Sequence, residues 1–292
     1  MTTAVPLPNP EQDWEPPAAT LELGREAVEQ RIGIVKGPIA RLPGGNANST
    51  ALVEGRVLKI FRREPEAAGR ERALIERGWR SFRVPRVLGA GPDFLLLEYV
   101  TRSPLLGSRE HGAAVGRALA EIHSVRFDAA GFFDESVKVR TPFADLVTSL
   151  IRYARTEFKS RPIGAGIVRL LEREATSMRL VAGAPCLVHG DFKVSNLHRA
   201  VDGRVLVLDW EFAYAGAALS DIGQLLRWNP PEPFVDAFTG AYVEAGGVLR
   251  GDYRRFAKLF DLVNLAGMLK SAGAKRTRDV TERLEATVRE LA

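Results

Sequence analysis

Cysteine is nearly absent from the sequence, since Cys186 is the one example among 292 residues. This excludes an internal disulfide framework and a zinc cluster built from several cysteines. Cys186 lies in a short apolar run that precedes a polar loop. A small buried thiol is therefore a better interpretation of Cys186 than a nucleophile.

Long apolar runs and a secretory leader are also lacking. No run approaches the roughly 20 apolar residues that a membrane-spanning helix needs. The N-terminal residues lack a basic segment followed by an apolar one. We therefore expect no membrane partner and a cytoplasmic location. Hydrophobic residues nevertheless make up 46% of the chain, which is enough to bury the cores of two lobes.

Basic residues exceed acidic ones, but their distribution does not favour nucleic-acid binding. The 41 Lys and Arg against 36 Asp and Glu give a formal charge of +5 at pH 7. The arginines alternate with acidic residues, as in Arg70-Glu71-Arg72, and aromatic residues are not interleaved with them at regular spacing. We predict a solvated basic surface and no nucleic-acid partner. Such a positive field would help to gather a nucleoside triphosphate.

The most informative stretch, residues 187–210, reads LVHGDFKVSNLHRAVDGRVLVLDW. Short aliphatic runs at 186–188 and 205–208 predict β-strands. The polar loop between them carries Asp191 and Asn196, and the second strand is followed by Asp209. Two strand ends therefore present these three side chains toward one point. An ordinary polar hairpin is the alternative interpretation, because the intervening Asp-Gly pair is a common turn.

These residue types suit Mg²⁺-assisted phosphoryl transfer. Mg²⁺ prefers hard oxygen ligands and takes much of its coordination from water and nucleotide phosphates, so the protein needs to supply few ligands. We assign Asn196 and Asp209 as candidate metal ligands and Asp191 as the carboxylate that faces the attacking hydroxyl. Lys193 lies in the same loop. Two interpretations of Lys193 remain: its side chain contacts the γ-phosphate, or it points outward into solvent.

The motifs HGDFKVSN and LDWEFA resemble the catalytic loop and the metal-binding segment of the aminoglycoside phosphotransferase and choline kinase superfamily, relatives of the protein kinases. The resemblance covers most of the chain, about residues 32–270. It implies a bilobal kinase-like fold and ATP-dependent phosphorylation of a small-molecule hydroxyl, with ATP and Mg²⁺ as cofactors. It also implies that Asp221, which follows the metal segment, braces the catalytic loop.

A glycine-rich tip is predicted upstream, where residues 43–50 read PGGNANST between two strands. Glycine tolerates unusual dihedral angles and small side chains leave space, so backbone N–H groups can approach phosphate oxygens there. Ser49 and Asn48 are the candidates for direct contact with the nucleotide. Because the loop departs from the protein-kinase glycine pattern, an ordinary hairpin is the alternative.

Further nucleotide contacts are predicted around a lysine and a hinge. Lys59 interrupts an apolar strand, where a lysine is rarely buried without a partner, and it resembles the superfamily's lysine that contacts the α- and β-phosphates. Glu71 matches the helix glutamate that orients this lysine, with Glu66 as the alternative. Adenine needs one acceptor and one donor beside apolar walls. The resemblance assigns these contacts to the backbone of Glu98 and Val100.

We predict an α+β, bilobal, protein-kinase-like fold with a small antiparallel-sheet N-terminal lobe and a mainly helical C-terminal lobe. Residues 1–20 are rich in proline and predict a disordered or loosely packed arm. Residues 21–103 form the nucleotide-binding lobe with the hinge, and residues 104–292 form the catalytic and acceptor-binding lobe. Expected strands lie at 34–42, 51–61, 84–88 and 94–100, and expected helices at 25–31, 65–79, 110–124, 143–160, 163–181, 234–245, 252–271 and 276–291.

The predicted function is transfer of the ATP γ-phosphate to a hydroxyl of a small molecule. An aminoglycoside-like amino sugar is the leading acceptor, and choline, homoserine or a glycated amine are alternatives. A non-catalytic nucleotide-binding regulatory protein is the rival of a different class. A cationic acceptor needs acidic residues near the cleft, and the candidates are Glu211, Asp236, Glu244, Asp252 and Asp261.

Overall fold

The computed structural model describes residues 5–14, 23–42, 48–270 and 273–292. The predicted α+β class is confirmed, because an antiparallel sheet forms the N-terminal lobe and helices form most of the rest. The glycine-rich tip at 43–47 lies outside the described residues. Its proposed phosphate contacts therefore remain predictions.

The N-terminal lobe consists of one five-stranded sheet and two short helices. Neighbouring strands pair antiparallel in the order β1-β2-β3-β5-β4. The elements are α1 (Arg25–Ile32), β1 (Ile39–Arg41), β2 (Asn48–Val53), β3 (Arg56–Phe61), α2 (Ala67–Ile75), β4 (Val87–Gly91) and β5 (Phe94–Glu98).

The segment 51–61 is a hairpin, so the prediction of one continuous strand was wrong. Glu54 and Gly55 have φ angles of 50° and 74°, which is the left-handed geometry of a tight two-residue hairpin turn. The turn places β3 in the centre of the sheet, with Lys59 opposite Thr50 on one side and Leu95 on the other. A central strand brings the lysine side chain into the interior of the lobe.

The C-terminal lobe is mainly helical, as predicted, with two small sheets at the side that faces the N-terminal lobe. The sheets have the strand orders β11-β10-β6 and β8-β7-β12-β9. The segment 126–142, which the sequence predicts to be irregular, contributes β7 and β8. The helices are α3 (Arg109–His123), α4 (Leu146–Glu157), α5 (Gly164–Ala182), α6 (Leu219–Leu226), α7 (Glu232–Glu244), α8 (Tyr253–Gly267) and α9 (Ala274–Leu291), and the strands are β6 (Arg102–Pro104), β7 (Gly131–Phe133), β8 (Val139–Pro142), β9 (Cys186–Val188), β10 (Leu197–Ala200), β11 (Val205–Val207) and β12 (Tyr214–Gly216).

The N-terminal arm is packed against the rest of the molecule where the structure describes it, although the sequence predicts a disordered or loosely packed segment. The Leu7 amide donates to the carbonyl of Leu105 at 3.0 Å, and the Leu7 side chain is buried in the main core. Residues Pro10–Asp13 form a 3-10 helix. The Trp14 indole donates to Asp279 at 2.9 Å. Proline stops regular structure but does not prevent side chains from being buried, so composition alone was misleading.

None of the helices within the described ranges combines the length and the apolar character that spanning a bilayer would require.

Candidate active site

The catalytic loop leaves β9 through a tight turn at His189 and Gly190. Gly190 has φ 80°, and a Cβ atom at this position would lie 2.2 Å from the carbonyl oxygen of Phe212. Only glycine fits such a close approach at positive φ. The buried His189 ring donates through Nε2 to the carbonyl of Leu208 at 3.1 Å and accepts from the Asp191 amide at 3.2 Å. Burial lowers the pKa of His189 and favours this neutral form.

Asp221, in the first turn of α6, braces the loop as the resemblance implied. Its carboxylate accepts the amides of His189 at 2.8 Å and Gly190 at 3.0 Å. His123 approaches the same carboxylate at 3.1 Å and contacts the Tyr242 hydroxyl at 2.8 Å. The buried carboxylate therefore joins three helices, α3, α6 and α7, to the start of the catalytic loop.

Gln224 is a second brace that the sequence analysis missed. Its side chain accepts from the Phe192 amide at 2.6 Å and donates to the Gly190 carbonyl at 2.7 Å. Residues three positions apart lie on the same face of a helix, so the spacing from Asp221 could have identified it. The two side chains together fix the backbone on both sides of Asp191.

Asp191 and Asn196 lie side by side, as predicted. The Asn196 amide nitrogen donates to one Asp191 carboxylate oxygen at 2.8 Å and to the Asp191 carbonyl at 2.9 Å. Both contacts use the amide nitrogen, so the amide oxygen stays available as a ligand. The Leu208 amide donates to the Asn196 carbonyl at 3.0 Å, which brings Asp209 next to the loop.

Lys193 points into the cleft rather than outward. Its ammonium lies 3.2 Å from Asp191 and 3.0 Å from Glu11 of the N-terminal arm. Burial alone would lower the pKa of Lys193, but Asp191 and Glu11 outweigh burial and raise it. The loop lysine is therefore a cation between two carboxylates. Glu11 was missed because nothing in the sequence connects the arm to the loop.

Lys59 joins the two lobes through ion pairs with Glu71 and Asp209. Its ammonium lies 2.6 Å from Glu71 and also forms a hydrogen-bonded ion pair with Asp209. Burial alone would lower the pKa of Lys59, but Asp209 and Glu71 outweigh it and raise the pKa, so the lysine stays charged. Glu66 lies at the exposed start of α2 instead, paired with Arg140. Of the two predicted partners of Lys59, Glu71 is the one in contact.

Glu211 and Asn48 face each other across the cleft. The Asn48 amide donates to the Glu211 carboxylate at 2.6 Å. Burial, with Asp209 and Glu71 nearby, raises the pKa of Glu211 to about 8. Glu211 is thus not positioned as the acceptor-binding acid that the sequence suggested.

The remaining predicted nucleotide contacts lie along the inner edge of the N-terminal lobe. Ser49 is in β2, where its hydroxyl accepts from Arg62 at 2.6 Å. The Glu98 amide already donates to the Arg86 carbonyl at 2.9 Å, which leaves its carbonyl for a ligand. In the described part of the chain nothing pairs with the Val100 amide, and Val100 packs with Leu206 in a small apolar cluster.

Arg70 is a further residue that the sequence analysis missed. It is buried next to Glu71 on α2, and its guanidinium donates to the Glu211 carbonyl at 2.7 and 3.2 Å. This contact ties the helix of the lysine's partner to the segment that follows Asp209. The Arg70 contact therefore helps to keep Glu71 and Asp209, the two carboxylate partners of Lys59, close to each other.

Asn196 and Asp209 fit a Mg²⁺ ion that is also held by nucleotide phosphates. Asp209 keeps one carboxylate oxygen free of Lys59, and Asn196 keeps its amide oxygen. Among the residues described, no three His, Cys, Asp or Glu side chains form a site that could hold a metal alone. Few protein ligands are expected where the phosphates supply the others.

The antiparallel N-terminal sheet, the helical C-terminal lobe and the cleft between them define a phosphotransferase with a protein-kinase-like fold. The chain belongs to the phosphotransferase enzyme family, abbreviated APH, whose profile matches residues 38–259. The superfamily resemblance drawn from HGDFKVSN and LDWEFA is thereby confirmed. A comparison with curated protein sequences gave no match.

Solved structures share this fold at low sequence identity. A macrolide 2'-phosphotransferase type I is 18% identical with a TM-score of 0.66, covering 91% of this chain and 95% of its own. A thermostable mutant of aminoglycoside phosphotransferase APH(4)-Ia, in complex with ADP and hygromycin B, is 16% identical with a TM-score of 0.65, covering 91% and 97%. A choline/ethanolamine kinase family protein from Mesorhizobium loti is 19% identical with a TM-score of 0.59, covering 91% and 92%.

Proposed function

We propose that the protein transfers the γ-phosphate of ATP to a hydroxyl group of a small molecule, with Mg²⁺ as the metal. One observation carries the proposal. Asp191 and Asn196 are in contact at 2.8 Å, and Lys59 reaches Asp209 across the cleft. These contacts support the proposal, because they bring together side chains suited to act as a base, two oxygen ligands and a phosphate-binding cation from distant parts of the sequence.

In this proposal Asp191 orients the acceptor hydroxyl and accepts its proton. Asn196 holds the carboxylate in position from one side and Lys193 from the other. Positioning of the hydroxyl against the phosphate supplies most of the acceleration, because phosphoryl transfer needs little covalent chemistry from the protein.

Lys59 would neutralise the α- and β-phosphates, and Glu71 would keep the lysine in place. Asn196 and Asp209 would hold Mg²⁺, which supplies charge neutralisation across the phosphates when it is bound. The Glu98 carbonyl and the Val100 amide offer one acceptor and one donor for adenine, above the apolar cluster that contains Leu206. The likeness to an APH(4)-Ia structure that holds ADP supports nucleotide use.

For the acceptor we propose a small compound that carries a hydroxyl group. The named structural relatives are described as acting on or binding a macrolide, hygromycin B or choline and ethanolamine, and these compounds differ in charge and size. Their variety supports a common phosphotransfer machinery with a variable acceptor wall. Amino sugars, choline, homoserine and glycated amines are therefore compared directly in the test.

The test is a coupled ADP-release screen of the purified protein with Mg²⁺ATP. The acceptors are aminoglycosides, other hydroxylated antibiotics, choline, homoserine, glycated amines and sugars, and mass spectrometry identifies the phosphorylated product. Turnover on any hydroxyl compound, lost in Asp191→Ala, supports the proposal. ATP binding without turnover on any class would instead favour the non-catalytic regulatory rival.

A further inference from the structure

Arg276, in the first turn of α9, is a buried cation without a counter-ion. The residue is 8% exposed, and its Nε atom is buried with no hydrogen-bond partner. Its guanidinium lies 5.1 Å from the ring centroid of Trp14, and it forms no ion pair within the described part of the chain. A buried charge is costly unless it is paired, so this arrangement needs an explanation beyond stability.

The arm connects Arg276 to the catalytic loop, because the Trp228 indole beside Trp14 donates to Glu11 at 3.2 Å and Glu11 pairs with Lys193 at 3.0 Å. The charges of Glu11 and Asp191 favour the guanidinium cation, and the charge of Arg227 opposes it. Burial nevertheless prevails and lowers the pKa of Arg276, because neither carboxylate pairs with it directly. Trp14 contacts Trp228 edge-to-face at 6.2 Å. The arm and the α6–α7 connection therefore both pack close to the cation.

The carboxylates on this side already have cationic partners. Glu11 pairs with Lys193 at 3.0 Å and lies 3.5 Å from Arg227. Asp261 is held by Arg227 through two hydrogen bonds of 2.6 and 2.8 Å. An ammonium group of an acceptor would therefore have to displace an internal cation at each of them.

The other acids that the sequence offered for a cationic acceptor are engaged or remote. Asp236 pairs with Arg254 at 3.6 Å, and Asp252 caps α8 by accepting the Arg255 amide at 3.1 Å. Glu244 is exposed at the last residue of α7. Among the charged side chains considered for this side of the cleft, the buried one without an ion-pair partner in the described part of the chain is the cation Arg276.

We infer that the acceptor carries an oxyanion, a carboxylate or a phosphate, which pairs with the Arg276 guanidinium while its hydroxyl faces Asp191. The inference rests on the proposed function for the hydroxyl, but the oxyanion subsite is defined by Arg276 itself. Guanidinium groups bind carboxylates and phosphates through two parallel hydrogen bonds. The substrate class is therefore an acidic hydroxyl compound and not a polycationic amino sugar.

The test compares acceptors that differ in one charged group. Mg²⁺ATP-dependent ADP release is measured with glucuronate, glucose and glucosamine, and with glycerate and glycerol. We expect the acids to give the highest kcat/KM. Arg276→Gln should lower kcat/KM for the acids roughly 10- to 100-fold, as expected for loss of a charged hydrogen-bonding partner, and leave the neutral compounds unchanged.

Arg283→Gln is the matched control. Arg283 lies two turns further along the same helix, and its guanidinium donates to the Asn229 side chain at 3.0 Å. It should keep the wild-type preference for acids. Arg276→Lys retains a charge but not the two-pronged geometry, so an intermediate preference is expected.

A binding measurement separates this inference from the proposed function. Titration calorimetry without nucleotide uses the same acids and inorganic phosphate as probes. Binding that Arg276→Gln abolishes and Arg283→Gln retains supports the subsite, even if no compound is phosphorylated and the kinase proposal fails. Absence of any Arg276-dependent oxyanion binding, or selective turnover of neutral or cationic compounds, overturns the inference.

The stability of the Arg276 variants separates a binding role from a structural role, because the two roles predict different changes in the free energy of unfolding. Removal of an unpaired buried charge should leave the free energy of unfolding unchanged or raise it. Urea unfolding of Arg276→Gln and Arg276→Lys checks this. A lower stability in both variants, with acceptor preference unchanged, would assign Arg276 to packing and refute the inference.

Discussion

The Glu11 carboxylate lies 3.0 Å from the Lys193 ammonium. This ion pair fastens a residue near the start of the chain to the loop that carries Asp191. Lys193 contacts Asp191 at 3.2 Å, so the arm affects the surroundings of the proposed base through one intermediate side chain.

The first prediction concerns Glu11→Gln. Lys193 and Arg227 outweigh burial and lower the pKa of Glu11 from 4.5. A lowered acid pKa stabilises the folded state above the unfolded value, and this contribution is lost as the pH falls through the folded value. We expect the variant to lose about 1–3 kcal/mol of unfolding free energy at pH 7, and the difference to shrink below pH 4.5.

Urea unfolding of both proteins between pH 4 and 8 measures this effect. Asp13→Asn, two positions further along the same 3-10 helix and exposed, is the control and should match the wild type. A stability difference that stays constant down to pH 4 would contradict the electrostatic explanation.

The second prediction separates the two aspartates of the cleft. Asp191→Ala should lower kcat roughly 100-fold or more, because a general base contributes on that order, and leave Mg²⁺ATP affinity nearly intact. Asp209→Ala should weaken Mg²⁺ATP binding as well. Turnover and nucleotide titrations are run in parallel, with the exposed Asp202→Ala as the control. An active Asp191→Ala enzyme would rule out its role as the base.

The third prediction concerns the metal. Lys59 and Asp209 form an ion pair, and Asp209 with Asn196 can face a polyphosphate favourably only through a cation. ATP should therefore bind more tightly with Mg²⁺ than in the presence of a chelator. Titration calorimetry under both conditions decides the matter, and equal affinities would argue against Asn196 and Asp209 as metal ligands.

The fourth prediction tests the brace that was not predicted. Gln224→Ala leaves the Phe192 amide and the Gly190 carbonyl without partners in a buried place. We expect a loss of about 1–3 kcal/mol in unfolding free energy and a kcat lower by roughly tenfold or more, because misplaced reacting groups react slowly. The KM for ATP should change little.

Steady-state kinetics and urea unfolding measure both effects. Gln30→Ala, on the exposed face of α1, is the control. Wild-type turnover in Gln224→Ala would mean that Asp221 alone positions the loop.

Strands and helices that are encoded by local sequence patterns could be predicted from the sequence. The strand Cys186–Val188 was predicted with its observed bounds, because its apolar residues stand between polar breaks. The hairpin turn at Glu54-Gly55 was missed although its glycine was visible, since the surrounding β-branched residues suggested one long strand. Helix positions were correct, with ends that differ by a few residues.

Contacts between distant segments could not be predicted in the same way. Asp221 was identified through the family motif, whereas Glu11 and Arg276 belong to no motif. Their partners lie far away in the sequence. The hydrogen bond between the same arm and helix α9, from Trp14 to Asp279, likewise joins residues that are 265 positions apart. Periodicity reports which face of an element is buried, but not which other segment covers it.

The large sequence separation between the arm and the residues that it contacts also affects how the protein folds during synthesis. The arm is synthesised well before the segments it contacts, because Trp14 pairs with Asp279 and Glu11 contacts Arg227. Closing contacts of such high sequence separation is slow, because the loop entropy is lost before the contacts form. The contacts of the arm with Arg227 and Asp279 should consequently form late, after contacts between segments that are close in the sequence.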